Sequence, residues 1–114
     1  MPHKTPDDPW VITIDFDANG HIIYIPAGLR AHRGDFVLWQ CQNPFAISFH
    51  NRSPFGKVNL ESLPVPGGNA TEPAQVLIDT PVGHYRYSSG VVKEVDRRIS
   101  VYLDAGCPEI IIEM

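Results

Sequence analysis

The side chains in this sequence that can donate to a metal or act as nucleophiles are few and scattered. Histidines stand at His3, His21, His32, His50 and His84, and the only thiols are Cys41 and Cys107. A zinc or copper centre needs several nitrogen and sulfur donors converging on one point, commonly with two of them closely spaced in one element. No two of these histidines have that spacing, and the cysteines lack the Cys-x-x-Cys pattern of a zinc or redox site. His21, His50 and His84 fall on outward strand positions, so different loops would have to bring two of them together at one end of the molecule. Cys41 and Cys107 either form one disulfide, if compartment and distance allow it, or remain buried free thiols that pack as small apolar groups. The second alternative is the expectation.

Hydrolytic chemistry has one suggestive stretch, Ser88-Ser89-Gly90. It lacks the Gly-x-Ser-x-Gly elbow and a strand-to-helix setting, so serines at a strand end making local hydrogen bonds explain it better. Asp15 and Asp17 share one strand face, but that face opens a hairpin and meets solvent. No glycine loop has the spacing that cradles phosphate. Tyr85, Tyr87 and Trp39 read as core side chains with polar tips, and Trp10 either covers one end of the fold or marks a contact surface. The chain is therefore expected not to be an enzyme, with no catalytic, cofactor-binding or metal-binding residue assigned and no cofactor.

The elements that position these residues follow from composition. The chain has 114 residues, enough for one ordinary core. Hydrophobic residues make up 43% and charged ones 19%, which argues for a folded domain. Nine basic residues lie scattered among thirteen acidic ones, a net charge of -4 with no cluster to neutralise a phosphate backbone, so nucleic acid is excluded as a main partner. No apolar run is long enough to span a bilayer, so no membrane association is expected. Met1 to Pro9 lacks the apolar region of a signal peptide, which points to the cytoplasm, or to the periplasm or secretion if a signal has been removed. Eleven prolines and nine glycines leave little room for helices.

Alternation of apolar and polar positions predicts strands instead. Residues 1–9, with three prolines, read as an extended arm, and residues 10–114 as a single domain. From residue 10 to 17, Ile12, Ile14 and Phe16 share a face; Asn19-Gly20 then signals a tight hairpin, and residues 21–25 pair back. Residues 35–41 form a central strand, with Val37, Trp39 and Cys41 on one face, and residues 45–50 a strand with one buried face. Residues 51–73 read as a long irregular loop with a short edge strand at 57–60 and a turn of helix at 61–63. Further strands are expected at 75–79, at 84–89 with Tyr85, Tyr87 and Ser89 on one face, and at 98–104 with Ile99, Val101 and Leu103 inward. In the tail, Ile110-Ile111-Ile112 reads as one more short strand, available at an open edge or to another copy of the chain.

Within this pattern, Gly34-Asp35-Phe36-Val37-Leu38-Trp39 followed by Pro44-Phe45-Ala46-Ile47-Ser48-Phe49, and later Gly83-His84-Tyr85-Arg86-Tyr87-Ser88-Ser89, resemble the cupredoxins. These are small copper-carrying Greek-key β-sandwiches. The resemblance covers most of residues 22–103 and implies an all-β, cupredoxin-like sandwich of about seven to nine strands. It also implies that the first copper-ligating imidazole would stand at Phe45 and the thiolate at Ser89, with no His or Met in residues 90–98 for the others. A phenyl ring has no lone pair to give and a hydroxyl does not replace a thiolate at neutral pH, so the copper site is lost. The expected function is then a non-catalytic interaction or accessory module, binding an unidentified protein or a copy of itself through an edge strand. The alternative is a small copper- or zinc-binding protein using relocated surface histidines.

Overall fold

The computed structural model describes residues 4–104, 106 and 108–114. Within them the chain is all-β: β1 (Trp10–Phe16), β2 (Ile22–Ile25), β3 (Gly28–His32), β4 (Phe36–Cys41), β5 (Phe45–Phe49), β6 (Asn59–Glu61), β7 (Leu63–Val65), β8 (Gly68–Ala70), β9 (Ala74–Gln75), β10 (Gly83–Val95), β11 (Arg98–Leu103) and β12 (Glu109–Glu113). One six-stranded sheet runs β2-β1-β4-β8-β7 with β9 also on β4; the other runs β3-β12-β10-β5-β6 with β11 also on β10. Their inner faces share one apolar core, so the architecture is the β-sandwich expected. The twelve strands exceed the expected number because several have only two or three residues.

The first hairpin follows its sequence. Ile12 and Ile14 are fully buried on β1, Gly20 takes φ 81° in the turn, and the Asp17 N–H reaches the His21 carbonyl at 2.9 Å. Past the Ile25-Pro26 bond the chain changes sheets, because Pro26 cannot extend the β2 ladder, and β3 joins the second sheet beside β12. On β4, between β1 and β8, Val37, Trp39 and Cys41 point into the core. Facing them from β5 and β10 are Phe45, Ile47, Phe49, Tyr85, Tyr87 and Val91. Trp39 is the centre of this packing. It meets Phe49, Phe55 and Tyr87 edge-to-face at 6.3, 5.8 and 5.5 Å between ring centres, the arrangement aromatic quadrupoles favour.

Several expectations need correction. Residues 61–63 are not a turn of helix: β6 ends at Glu61, and Leu63 begins a strand that hairpins with β8, so most of the expected loop is short strands carrying the chain from one sheet to the other. The strand expected at 75–79 shrinks to β9, after which Val76 turns into the core, its N–H on the Asp35 carbonyl. The described part of the arm is not simply extended, since Thr5 and Asp8 exchange backbone hydrogen bonds across a turn. It is fastened by Asp35, which accepts from the Lys4 N–H and the Trp10 indole at 3.0 and 3.1 Å. The largest difference lies at the C-terminal end. The tail does not lie at an edge: β12 inserts between β3 and β10, parallel to one and antiparallel to the other, with Ile110 and Ile112 fully buried. A strand with neighbours on both sides has no free backbone groups to offer, so the expected edge pairing by Ile111 is not available. The expected disulfide or free-thiol state of Cys107, and His3, fall outside the described residues.

Candidate functional site

The two positions at which the resemblance would put copper ligands lie on adjacent strands, both inward. Phe45 opposes Val91, and Ser89 opposes Ile47. Phe45 is buried as an apolar plug. Ser89 is buried too, and its hydroxyl lies 2.5 Å from the Tyr24 hydroxyl, which donates to Asp104 Oδ2 at 2.7 Å. A phenol has a single proton; with that proton given to the carboxylate, Ser89 donates to the phenol oxygen. Burial, followed by the charge of Asp104, pushes the Tyr24 phenol far above its ordinary value against the opposing pull of Ser89. A phenol held this firmly in its neutral form is no base at neutral pH. The Ser89 hydroxyl is committed and Phe45 has no donor atom, so these residues do not fit a copper ion. The cluster is a clamp: it ties β2 of one sheet to β10 and the end of β11 in the other.

The histidines are placed as expected in part. His50 and His84 line one shallow groove on the outer face of the second sheet, beside Arg52 and Arg86. Each already has a partner: His50 Nε2 lies 2.7 Å from Ser88 Oγ and His84 Nδ1 2.9 Å from Glu109 Oε1. His21 stands elsewhere, beside Asp17. Among the described residues no three His, Cys, Asp or Glu side chains converge as metal ligands would. The Ser88–His50 contact was not legible in the sequence, because it depends on β5 and β10 being neighbours. It is exposed, and among the described residues no carboxylate holds the other ring nitrogen, as a nucleophile's base requires. Cys41 is buried, and burial raises its thiol above the ordinary value, away from nucleophilic reactivity.

The feature that the sequence reading missed is the hairpin of β10 and β11. Residues 90–95 continue β10 beyond the strand expected at 84–89, and β10 outruns β5, whose pairing ends at Val91. At ~3.3 Å per residue such a strand spans about 43 Å, close to the 48 Å long axis of the molecule. The turn is made by Asp96 and Arg97, both in the left-handed region at φ 51° and 64°, as a two-residue hairpin turn of this hand requires. Alternation along β10 places Tyr85, Tyr87, Ser89 and Val91 inward, and the pairing of Val91 with Tyr102 fixes the parity of β11. Tyr102 therefore faces inward, against Phe16 at 5.4 Å, with the Lys93 ammonium 3.8 Å over the Phe16 ring. Ile99, Val101 and Leu103, expected inward, face solvent at 72, 62 and 78% exposure. They form an apolar row on a braced arm, next to the partly exposed Val92 that opposes Val101. Among the described residues the far edge of β11 is unpaired.

Compared with models of protein families and with curated proteins, the chain matches none.

Proposed function

We propose that this chain is a cupredoxin-like domain without a copper site that works as a non-catalytic interaction module, engaging a protein through the β10–β11 hairpin. The observation that carries this reading is the outward row of Ile99, Val101 and Leu103. Large apolar side chains gathered on one projecting strand cost solubility and favour association, and so mark contact surfaces. The hairpin is also held in place before any partner arrives, which lowers the entropy lost on binding. The core arrangement supports the lost-metal part, since Phe45 and the committed Ser89 leave no donor set where the resemblance would place one.

The experiment is to replace Ile99 and Leu103 with Ser and to compare complexes formed by the purified protein, and those captured by chemical cross-linking in its host, with those of the wild type. Both substitutions point into solvent, so the variant should melt at the same temperature while the complexes disappear. Unchanged complexes from a folded variant would sink the reading.

A second reading draws on His50 and His84 sharing a groove. Titration of Cu(II) and Zn(II) against the wild type and the His50→Ala and His84→Ala variants decides it. Binding no tighter than that of the variants ends it.

A further inference from the structure

The edge of β11 has a property that narrows the partner. The Asp104 N–H bonds to the Ser89 carbonyl at 3.1 Å, and backbone groups alternate in direction along a strand. The N–H and C=O groups of Arg98, Ser100 and Tyr102 therefore point to β10, and those of Ile99, Val101 and Leu103 point away from it, toward the open edge. The residues with outward side chains are thus also the ones with free backbone groups.

We infer that β11 pairs antiparallel with β11 of a second copy of this chain, about a two-fold axis at Val101. This inference rests on the interaction-module reading and specifies its partner. In antiparallel pairing, directly opposed residues share a face, so only registers that match like parity keep the apolar row together. Centred on Val101, the strand is complementary to itself. Val101 opposes Val101, Ile99 opposes Leu103, Ser100 opposes Tyr102, and Arg98 opposes Asp104 of the other copy. Each outward N–H of Ile99, Val101 and Leu103 then meets a C=O, because a two-fold axis at an edge-directed residue makes a hydrogen-bonded pair. The charges agree as well. Arg98 has no acidic partner in its own chain among the described ion pairs, whereas Asp104 is fixed by Tyr24 at the other end of the same strand. Residues Gly20 to Ile22 and Tyr102 to Asp104 border a groove of about 510 Å³, and the pairing aims the turn of the second copy at it. A strand whose reverse reading pairs apolar with apolar and cation with anion fits a copy of itself better than an arbitrary edge, and isologous contacts of this kind close as dimers.

The test uses the whole chain in a Cys107→Ser background and measures mass by light scattering and sedimentation over a concentration series. The wild type is expected to show a monomer–dimer equilibrium. Val101→Lys, which sets two ammonium groups face to face at the axis, should raise the dissociation constant by about tenfold or more, with no change in melting temperature at concentrations low enough for both proteins to be monomeric. Register is read by mild oxidation. Val101→Cys should cross-link to itself; Ile99→Cys alone should not, but should cross-link when mixed with Leu103→Cys. A protein that stays monomeric at millimolar concentration, or an Ile99→Cys variant that cross-links to itself as fast as Val101→Cys, overturns the pairing. If the chain is monomeric but the Ile99 and Leu103 substitutions abolish a complex with a different protein, the pairing fails and the interaction-module reading stands. If neither association depends on the hairpin, both fail.

Discussion

The Tyr24 hydroxyl donates to the Asp104 carboxylate at 2.7 Å, joining strand β2 of one sheet to the end of β11 in the other. Because Ser89 in turn bonds the phenol, removing one oxygen strands two polar groups. Tyr24→Phe is therefore expected to cost about 1–3 kcal/mol, the usual penalty for buried groups left without partners. The measurement is the midpoint of urea unfolding, with the slope unchanged.

The same burial governs titration. Tyr24 and Tyr87 both have phenols raised above their ordinary value, chiefly by desolvation. The folded chain then holds these protons more tightly than the unfolded one. Their contribution to stability is whole below the ordinary phenol value of about 10 and is lost as pH rises past it. An ultraviolet titration of the native protein should show Tyr24 and Tyr87 ionising only with alkaline unfolding.

Asp35 gives the opposite slope. Burial pulls its carboxyl upward, but the N–H groups of His32 and Lys4, the Trp10 indole and the charge of His32 together hold it below the usual value. Its stabilisation is present above the unfolded value of about 3.9 and is lost as pH falls through the lower folded one. Asp35→Asn should destabilise by about 1.5–3 kcal/mol near neutral pH, the range for hydrogen bonds to a charge, and much less in acid. Denaturant midpoints at two pH values check the sign. Protease sensitivity near Lys4 should rise in parallel, because the arm loses its fastening.

On β12, neighbouring residues should respond differently. Ile112 is fully buried, so Ile112→Ala should cost about 2–5 kcal/mol. Ile111 lies on the outer face between Arg30 and His84, and Ile111→Ala should cost much less, about 1 kcal/mol. Thermal melts of the two variants provide the comparison, and equal losses would contradict the placement of the strand.

At the hairpin turn, Asp96 and Arg97 bear left-handed conformations that cost L-residues roughly 1–2 kcal/mol each. Replacing the pair with Asn-Gly should stabilise the protein by about 1 kcal/mol. The gain should appear as slower amide exchange in residues 92–101.

Much of the sandwich was legible in the residues themselves. Ile12, Ile14, Val37, Trp39, Ile47, Phe49, Tyr85 and Tyr87 announce their inward faces by alternation, and Asn19-Gly20 announces its turn. What alternation does not carry is a direction. Ile99, Val101 and Leu103 share one face in either reading, and only the pairing of Tyr102 with Val91 shows that the face is the outer one. Gly90 looked like the end of a strand because it has no side chain to continue the pattern; the structure keeps it in β10 with Leu103 across from it. The tail was misplaced for a different reason. Its parallel partner, β3, lies some eighty residues earlier, and no local pattern records a contact at that separation. The clamp of Tyr24, Ser89 and Asp104 was hidden likewise, each member being unremarkable until three distant strands meet.

A single strand, β10, begins among the core aromatics and ends at the tip of the hairpin. A pull on the tip would run along its backbone and load its ladders with β5 and β12 lengthwise, so that many bonds would have to break together rather than unzip in turn. A load applied at that tip would therefore be carried in shear by the pairing of β10 with β5 and β12.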